Sequence, residues 1–235
     1  MRKQKIQMSE TYFIGTVLAI VGGYLDAYTY IARGEVFANA QTGNIVLLGI
    51  KVVSGEWTRA VMYLPPIAAF MLGILLSEKV RRHFDGGRLH WKQYIILLEL
   101  IVVAAVSMLP QGRINNVNFD TIANILVSFV CSLQVQSFRK IRGITCATTM
   151  CTGNLRSATE CLDKYRVTKD KEQLHNAGKF FGIVLFFIIG AAASTFFTNI
   201  FAEKSSLVCT VGLLLVFIIM FFVSNEKIPD NSNQG

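Results

Sequence analysis

The chain has 235 residues, of which 52% are hydrophobic and 16% charged, where a typical soluble domain carries about 25% charged residues. Its 23 Lys and Arg exceed its 15 Asp and Glu, for a net charge of +8, and its mean hydropathy is +0.46. Together these exclude a disordered chain, a nucleic-acid-binding tail and an ordinary soluble enzyme. The length suits one integral membrane domain over residues 1–235, since six crossings of about 20 residues would use about half of it.

In chain order, Arg2, Lys3 and Lys5 precede an apolar run at 12–31. Ala38-Asn39-Ala40 resembles a signal-peptide cleavage site, but Asp26, Arg33 and Glu35 interrupt the neutral stretch that such a signal needs. The run is therefore read as a retained first span. Further spans are expected at 61–77, 94–109, 122–138, 180–197 and 207–223, before a short polar tail at 224–235. The last span is the purest. The fourth carries Asn124, Ser128, Ser132, Gln134 and Gln136, a composition that faces protein or a cavity. Tyr12, Trp57, Tyr63, Trp91 and Tyr94 fall near span ends, as interfacial aromatics do.

Sorting the basic residues by connector places 18 on the side of the N-terminus and 5 on the other. The cytoplasmic side of a membrane protein carries the excess of Lys and Arg, so both termini are expected in the cytoplasm. The +8 then reports orientation, and nucleic acid is not expected as a partner.

The chain repeats itself. Thr42-Gly43-Asn44 recurs as Thr152-Gly153-Asn154 at an offset of 110, each time shortly after a span. Phe70-x-x-Gly73-x-x-x-Ser77 recurs as Phe187-x-x-Gly190-x-x-x-Ser194 at an offset of 117. The two repeats run over 12–109 and 122–223. With three spans in each, the second enters the membrane in the opposite sense, an inverted repeat of the kind found in transporters. The expected fold is all-α: six transmembrane helices in two inverted three-helix repeats, each with a short broken or re-entrant Thr-Gly-Asn half-helix.

Gly22-Gly23-Tyr24-Leu25-Asp26-Ala27, followed by Val36-Phe37-Ala38-Asn39-Ala40-Gln41-Thr42-Gly43-Asn44, resembles the YoaK-like family of bacterial integral membrane proteins. Gln134-Val135-Gln136 and Thr148-Thr149-Met150-Cys151-Thr152-Gly153-Asn154-Leu155 resemble its second motif. The resemblance runs over roughly residues 12–223. It implies a multi-pass protein of the bacterial cytoplasmic membrane and no particular activity.

The Thr-Gly-Asn segments admit two readings. Thr42 and Thr152 are suited to cap helices. Two half-helices entering from opposite sides would aim their positive N-termini at the midplane and make a place for an anion or the negative end of a polar solute. The alternative is that the motifs cap short interfacial helices and serve packing alone. Asp26 is the sharpest single candidate, because an intramembrane carboxylate is costly; it either binds substrate or ion, or lies close enough to the outer interface to be hydrated, or pairs with Arg33 or Arg156. Gln136 occupies the corresponding place 110 residues on. Arg156 either meets an anionic solute or pairs with Glu160 at i, i+4. The expected substrate- or ion-binding set is thus Asp26, Thr42, Gly43, Asn44, Gln136, Thr152, Gly153, Asn154 and Arg156. Glu99 is expected to snorkel near the cytoplasmic interface or to pair structurally.

Cys131, Cys146, Cys151, Cys161 and Cys209 form no CxxC pair, and His83, His90 and His175 fall in polar connectors. No metal, cofactor or catalytic set is expected. Ala69-x-x-x-Gly73, Gly178-x-x-x-Gly182 and Gly190-x-x-x-Ser194 let helices approach closely, within the bundle or between subunits of a homo-oligomer. The functional expectation is a small transporter for a polar or anionic solute. A passive channel and a non-transporting membrane scaffold are the alternatives.

Overall fold

The computed structural model describes residues 11–84, 91–141 and 144–225. The basic N-terminal residues, Arg88, Arg142 and Lys227 lie outside them, so the full charge count between connectors does too. The described residues are almost entirely helical. Four stretches are long and apolar enough to cross a membrane: Tyr12–Ala32, Trp57–His83, Phe119–Ser137 and Lys171–Phe222.

Helix α1, Tyr12–Ala32, starts where the Thr11 hydroxyl accepts the Ile14 N–H at 3.4 Å. It is followed by α2, Gln41–Val53, and a short α3, Trp57–Val61. The expected span at 61–77 begins with a break, because Pro65 and Pro66 lack an N–H and fit only a first turn. Helix α4, Leu64–Phe84, starts there and runs seven residues past the expected end. Helix α5, Trp91–Val106, has 16 residues. A two-residue hairpin turns through Asn115 and Asn116, both at positive φ, into α6, Phe119–Ser137. Asn118 caps α6 by accepting the Asp120 and Thr121 N–H groups.

Helix α7, Cys151–Thr168, is polar and ends at Lys169, which sits in the left-handed region at φ 56°. Asp170 then caps α8, Lys171–Phe201. The charged segment 163–179 is thus divided between the end of α7 and the start of α8. Ala202, at φ 49°, breaks α8 into a 3₁₀ turn, Ala202–Ser205, which leads to α9, Ser206–Asn225.

Helix α1 is the centre of the molecule, with 78% of its apolar window buried against 33% for Lys171–Phe222. It packs along α8 and, less extensively, α9; α6 packs along α4 and, less extensively, α5; α5 also packs on α9. The core between them holds Leu18, Leu25 and Tyr28 of α1, Ile95 and Ile96 of α5, Val127 and Leu133 of α6, and Leu213 of α9. The outward faces of α4, α8 and α9 are apolar as well, with Leu72, Leu75, Leu185, Ile188, Phe196, Val211 and Phe222 exposed. Apolar residues around the whole circumference suit helices surrounded by lipid.

Two crossings are close enough for backbones to touch. A Cβ on Gly190 would lie 2.0 Å from the Ile20 carbonyl oxygen of α1, and one on Gly23 would lie 2.0 Å from the Phe187 oxygen of α8. A Cβ on Gly73 of α4 would lie 2.5 Å from the Phe129 oxygen of α6, where Ser77 and Ser137 also share a 3.0 Å hydrogen bond. Gly178, by contrast, faces open space, so its expected place in a packing stripe is not realised.

Candidate functional site

Each Thr-Gly-Asn motif performs the same local task. The Asn44 Nδ2 donates to the Phe37 carbonyl at 2.8 Å, and its Oδ1 accepts the Phe37 N–H at 2.9 Å. The Asn154 Nδ2 donates to the Ala147 carbonyl at 2.6 Å, and its Oδ1 accepts from the Cys146 thiol at 3.3 Å. In both motifs an asparagine in the first turn ties down the extended residue seven positions before it. The threonines do not cap. Helix α2 begins after Ala40 and α7 after Met150, neither with a side-chain cap. Thr42 and Thr152 fall one residue inside their helices, where a hydroxyl no longer reaches the orphan N–H groups. Nor are the two helices alike in length, since α2 has 13 residues and α7 has 18.

The extended segments and first turns of α2 and α7 line one cavity of about 840 Å³. Thr42 comes to it from one motif, and Thr152, Gly153 and Asn154 from the other. Asp26 lies on its wall, 5% exposed. The Asp26 Oδ1 accepts the Asn39 N–H at 2.5 Å and the Ala40 N–H at 3.4 Å, at the point where the chain enters α2. A carboxylate on a helix N-terminus is favourable on both hydrogen-bond and dipole grounds. Phe37, Phe70 and Phe187 give the cavity apolar walls, with Phe37 stacked on Tyr30 at 4.8 Å. Among the described lining residues Asp26 is the only one with a formal charge.

Other expected site residues lie elsewhere. Gly43 packs beneath the Phe37 ring, where a Cβ would meet Cδ2 at 2.8 Å, and Asn44 is fully buried. Gln136 donates to Glu78 instead of entering the cavity. Arg156 points outward and pairs with Glu160 at 2.8 Å, the i, i+4 alternative. Asp26 pairs with neither Arg33 nor Arg156. Arg33 is fully buried and pairs with Asp120 at 3.3 Å. Glu99 does not snorkel: it is 0% exposed, and both its oxygens lack a hydrogen-bond partner among the described residues.

Two lining residues escaped the sequence reading. Asn39 and Thr149 stand 110 residues apart, each five before its motif's asparagine, and they are 2% and 4% exposed. The Asn39 Nδ2 donates to the Gly22 carbonyl at 3.2 Å, but its Oδ1 has no partner among the described residues, and neither has the Thr149 hydroxyl. Their shared offset was the available signal, but Asn and Thr are too common in loops to stand out.

Residues 14–220 match the family described as a protein of unknown function, DUF1275. The chain belongs to this family. No curated protein and no solved structure matches it. Membership in DUF1275 therefore brings no assigned chemistry to the cavity. Among the described residues no group of three His, Cys, Asp or Glu is placed to hold a metal ion.

Cys146 offers a check on the geometry beside the cavity. Burial pushes its thiol up to about 12. The thiolate is the reactive form, so raising the pKa removes it at neutral pH. Cys146 is expected to resist a membrane-permeant maleimide at pH 7.5 in the folded protein and to react after denaturation. Rapid labelling of the native protein at Cys146, read by mass spectrometry, would contradict its burial.

Proposed function

We propose that this chain is a small bacterial cytoplasmic-membrane transporter for a polar or anionic solute, related to the YoaK-like proteins, with both termini in the cytoplasm. The observation that carries the reading is the single cavity where the opening turns of α2 and α7 meet Asp26. Irregular backbone at membrane depth is tolerated where it lines a cavity, and half-helix ends facing such a cavity are a recurrent way to hold solutes in transporters.

The inverted repeat is part of this reading. With 12–109 and 122–223 as equivalent halves, α1, α2, α4 and α5 correspond to α6, α7, α8 and α9. The packing of α1 on α8 then corresponds to that of α6 on α4, and α1 on α9 to α6 on α5. The close approach of Gly190 to α1 corresponds to that of Gly73 to α6. Six crossings follow, with Lys171–Phe222, at 52 residues far beyond one bilayer thickness, contributing two. Asp26 is the group whose charge is neutralised by a proton or cation as the site alternates between the two sides.

The test is uptake of labelled small polar and anionic solutes into proteoliposomes with and without an imposed proton gradient. Gradient-driven uptake is expected for the unaltered protein, and Asp26→Asn is expected to abolish the gradient dependence. Unchanged gradient-driven uptake in a folded Asp26→Asn variant would remove Asp26 from the mechanism. Saturation-free flux without coupling would favour a channel instead.

A further inference from the structure

The two halves of the cavity differ in one respect that bears on the solute. At the entry to α2 the chain supplies its own carboxylate, with the Asp26 Oδ1 receiving the Asn39 and Ala40 N–H groups. At the entry to α7 the described residues supply none. The residue in Asp26's corresponding place is Gln136, which is neutral and engaged with Glu78 outside the cavity. The opening turn of α7 has no side-chain cap. Met150, Cys151, Thr152 and Gly153 line the cavity, and a Cβ on Gly153 would meet nothing within 4 Å. The first N–H groups of a helix have no partner within it, and together they carry about half a positive charge. Beside them is the Thr149 hydroxyl, 4% exposed and unpartnered.

The two places are close together. Thr149 packs against Gly22, where a Cβ would lie 2.5 Å from its Cγ2. Gly22 precedes Asp26 on α1 by four residues, about 6 Å along the helix axis. Cys151, the first residue of α7, lines the same cavity as Asp26.

We infer that the solute is a small zwitterion of the amino-acid type, its carboxylate held by the open N-terminus of α7 and the Thr149 hydroxyl, and its ammonium by Asp26. The Asn39 Oδ1, buried and unpartnered, is the second acceptor for the ammonium. Phe70, Phe187 and Ile31 form an apolar wall for a neutral side chain. A purely anionic solute would meet Asp26 as a like charge, with no Lys or Arg among the described lining residues to offset it. This inference rests on the reading of the cavity as a solute site and narrows the polar or anionic class proposed for it.

The experiment is calorimetric binding to the purified full chain in detergent, with three probes of one shape: L-leucine, 4-methylpentanoate, which lacks the ammonium, and L-leucinamide, which lacks the carboxylate. L-Alanine and L-phenylalanine extend the panel to smaller and larger side chains. A zwitterion is expected to bind roughly tenfold or more tightly than either single-charge analogue, a factor of ten being 1.4 kcal/mol. Asp26→Asn is expected to lower zwitterion affinity roughly tenfold. Thr149→Val, which removes one buried hydroxyl and keeps the shape, is expected to weaken leucine and 4-methylpentanoate but not leucinamide. Size-exclusion profiles establish that both variants are folded.

Equal binding of leucine and 4-methylpentanoate would overturn the inference, as would unchanged leucine affinity in folded Asp26→Asn. So would the failure of every zwitterion in the panel to bind. Saturable leucine binding without movement into proteoliposomes would instead overturn the transporter reading and leave the ligand class standing. Transport of an anion without zwitterion binding would do the reverse.

Discussion

Replacing Arg33 with alanine is expected to destabilise the protein by about 3–5 kcal/mol, the usual cost of removing one partner of a buried ion pair. Arg33 is 0% exposed. Its guanidinium Nη1 donates to the Pro110 carbonyl at 2.8 Å and to the Asp120 Oδ1 at 3.3 Å. Its Nη2 donates to the Val106 and Leu109 carbonyls at 3.1 and 2.9 Å. Its Nε donates to the Tyr28 hydroxyl at 2.9 Å, which in turn donates to the Glu203 carbonyl at 2.9 Å. One side chain thereby caps the C-terminal end of α5, where carbonyl groups are orphaned and a cation is favoured. It also joins that end to the start of α6 and, through Tyr28, to the turn between α8 and α9. Alanine leaves the Leu109 and Pro110 carbonyls without this donor and Asp120 without its cation, while the Val106 carbonyl keeps only the Leu109 N–H at 3.1 Å.

Arg33→Lys is expected to recover only part of the loss. An ammonium is a point charge with three donors, and it cannot reproduce a planar fork that serves five acceptors. The measurement is thermal unfolding of the purified protein in detergent. A fall of roughly 10 °C is expected for Arg33→Ala, with Arg33→Lys between it and the unaltered protein. An Arg33→Ala protein that melts within a degree or two of the original would show that the buried network adds nothing net.

Arg33 also shows where sequence reading stops. The sequence makes it a connector residue and counts it among the outer positive charges. Nothing local reveals that α5 ends opposite it, because Val106, Leu109 and Pro110 reach it only through the tertiary fold. The apolar runs were legible because twenty-odd residues of one character leave little choice of environment. Their ends were not, and the start at Pro65–Pro66 and the extension of α8 back to Lys171 came from local chemistry that composition averages away. The Thr-Gly-Asn repeats were legible as a pair, yet their working residue is the asparagine, which closes on backbone seven residues earlier. Asp26 was legible because a carboxylate in an apolar run stands out. Asn39 and Thr149, which face the same cavity, did not stand out, and neither did the diversion of Gln136 to Glu78.

Placing alanine at Gly190 is expected to destabilise the protein by about 3 kcal/mol, the upper part of the usual range for overpacking, despite alanine's better helix propensity. The added Cβ would lie 2.0 Å from the Ile20 oxygen and 2.9 Å from the Ile20 Cα. These are backbone atoms of α1, so no side-chain rotation relieves the clash, and the helices themselves must separate. Gly23→Ala makes the reciprocal clash with Phe187 across the same crossing. Once one substitution has forced the helices apart, the second meets less resistance. The double variant is therefore expected to cost clearly less than the two single variants added together, as coupled neighbours do. Gly178→Ala, on the same helix but in open space, is the control and is expected to be neutral or slightly stabilising. Additive losses at Gly23 and Gly190, measured by thermal unfolding, would mean that the two glycines act at separate contacts. The same crossing sets the width of the cavity, since Gly23 and Asp26 of α1 face it together with Phe187 and Ala191 of α8. Affinity for leucine, the probe of the proposed zwitterion site, should accordingly fall in both single variants, and in Gly178→Ala it should not.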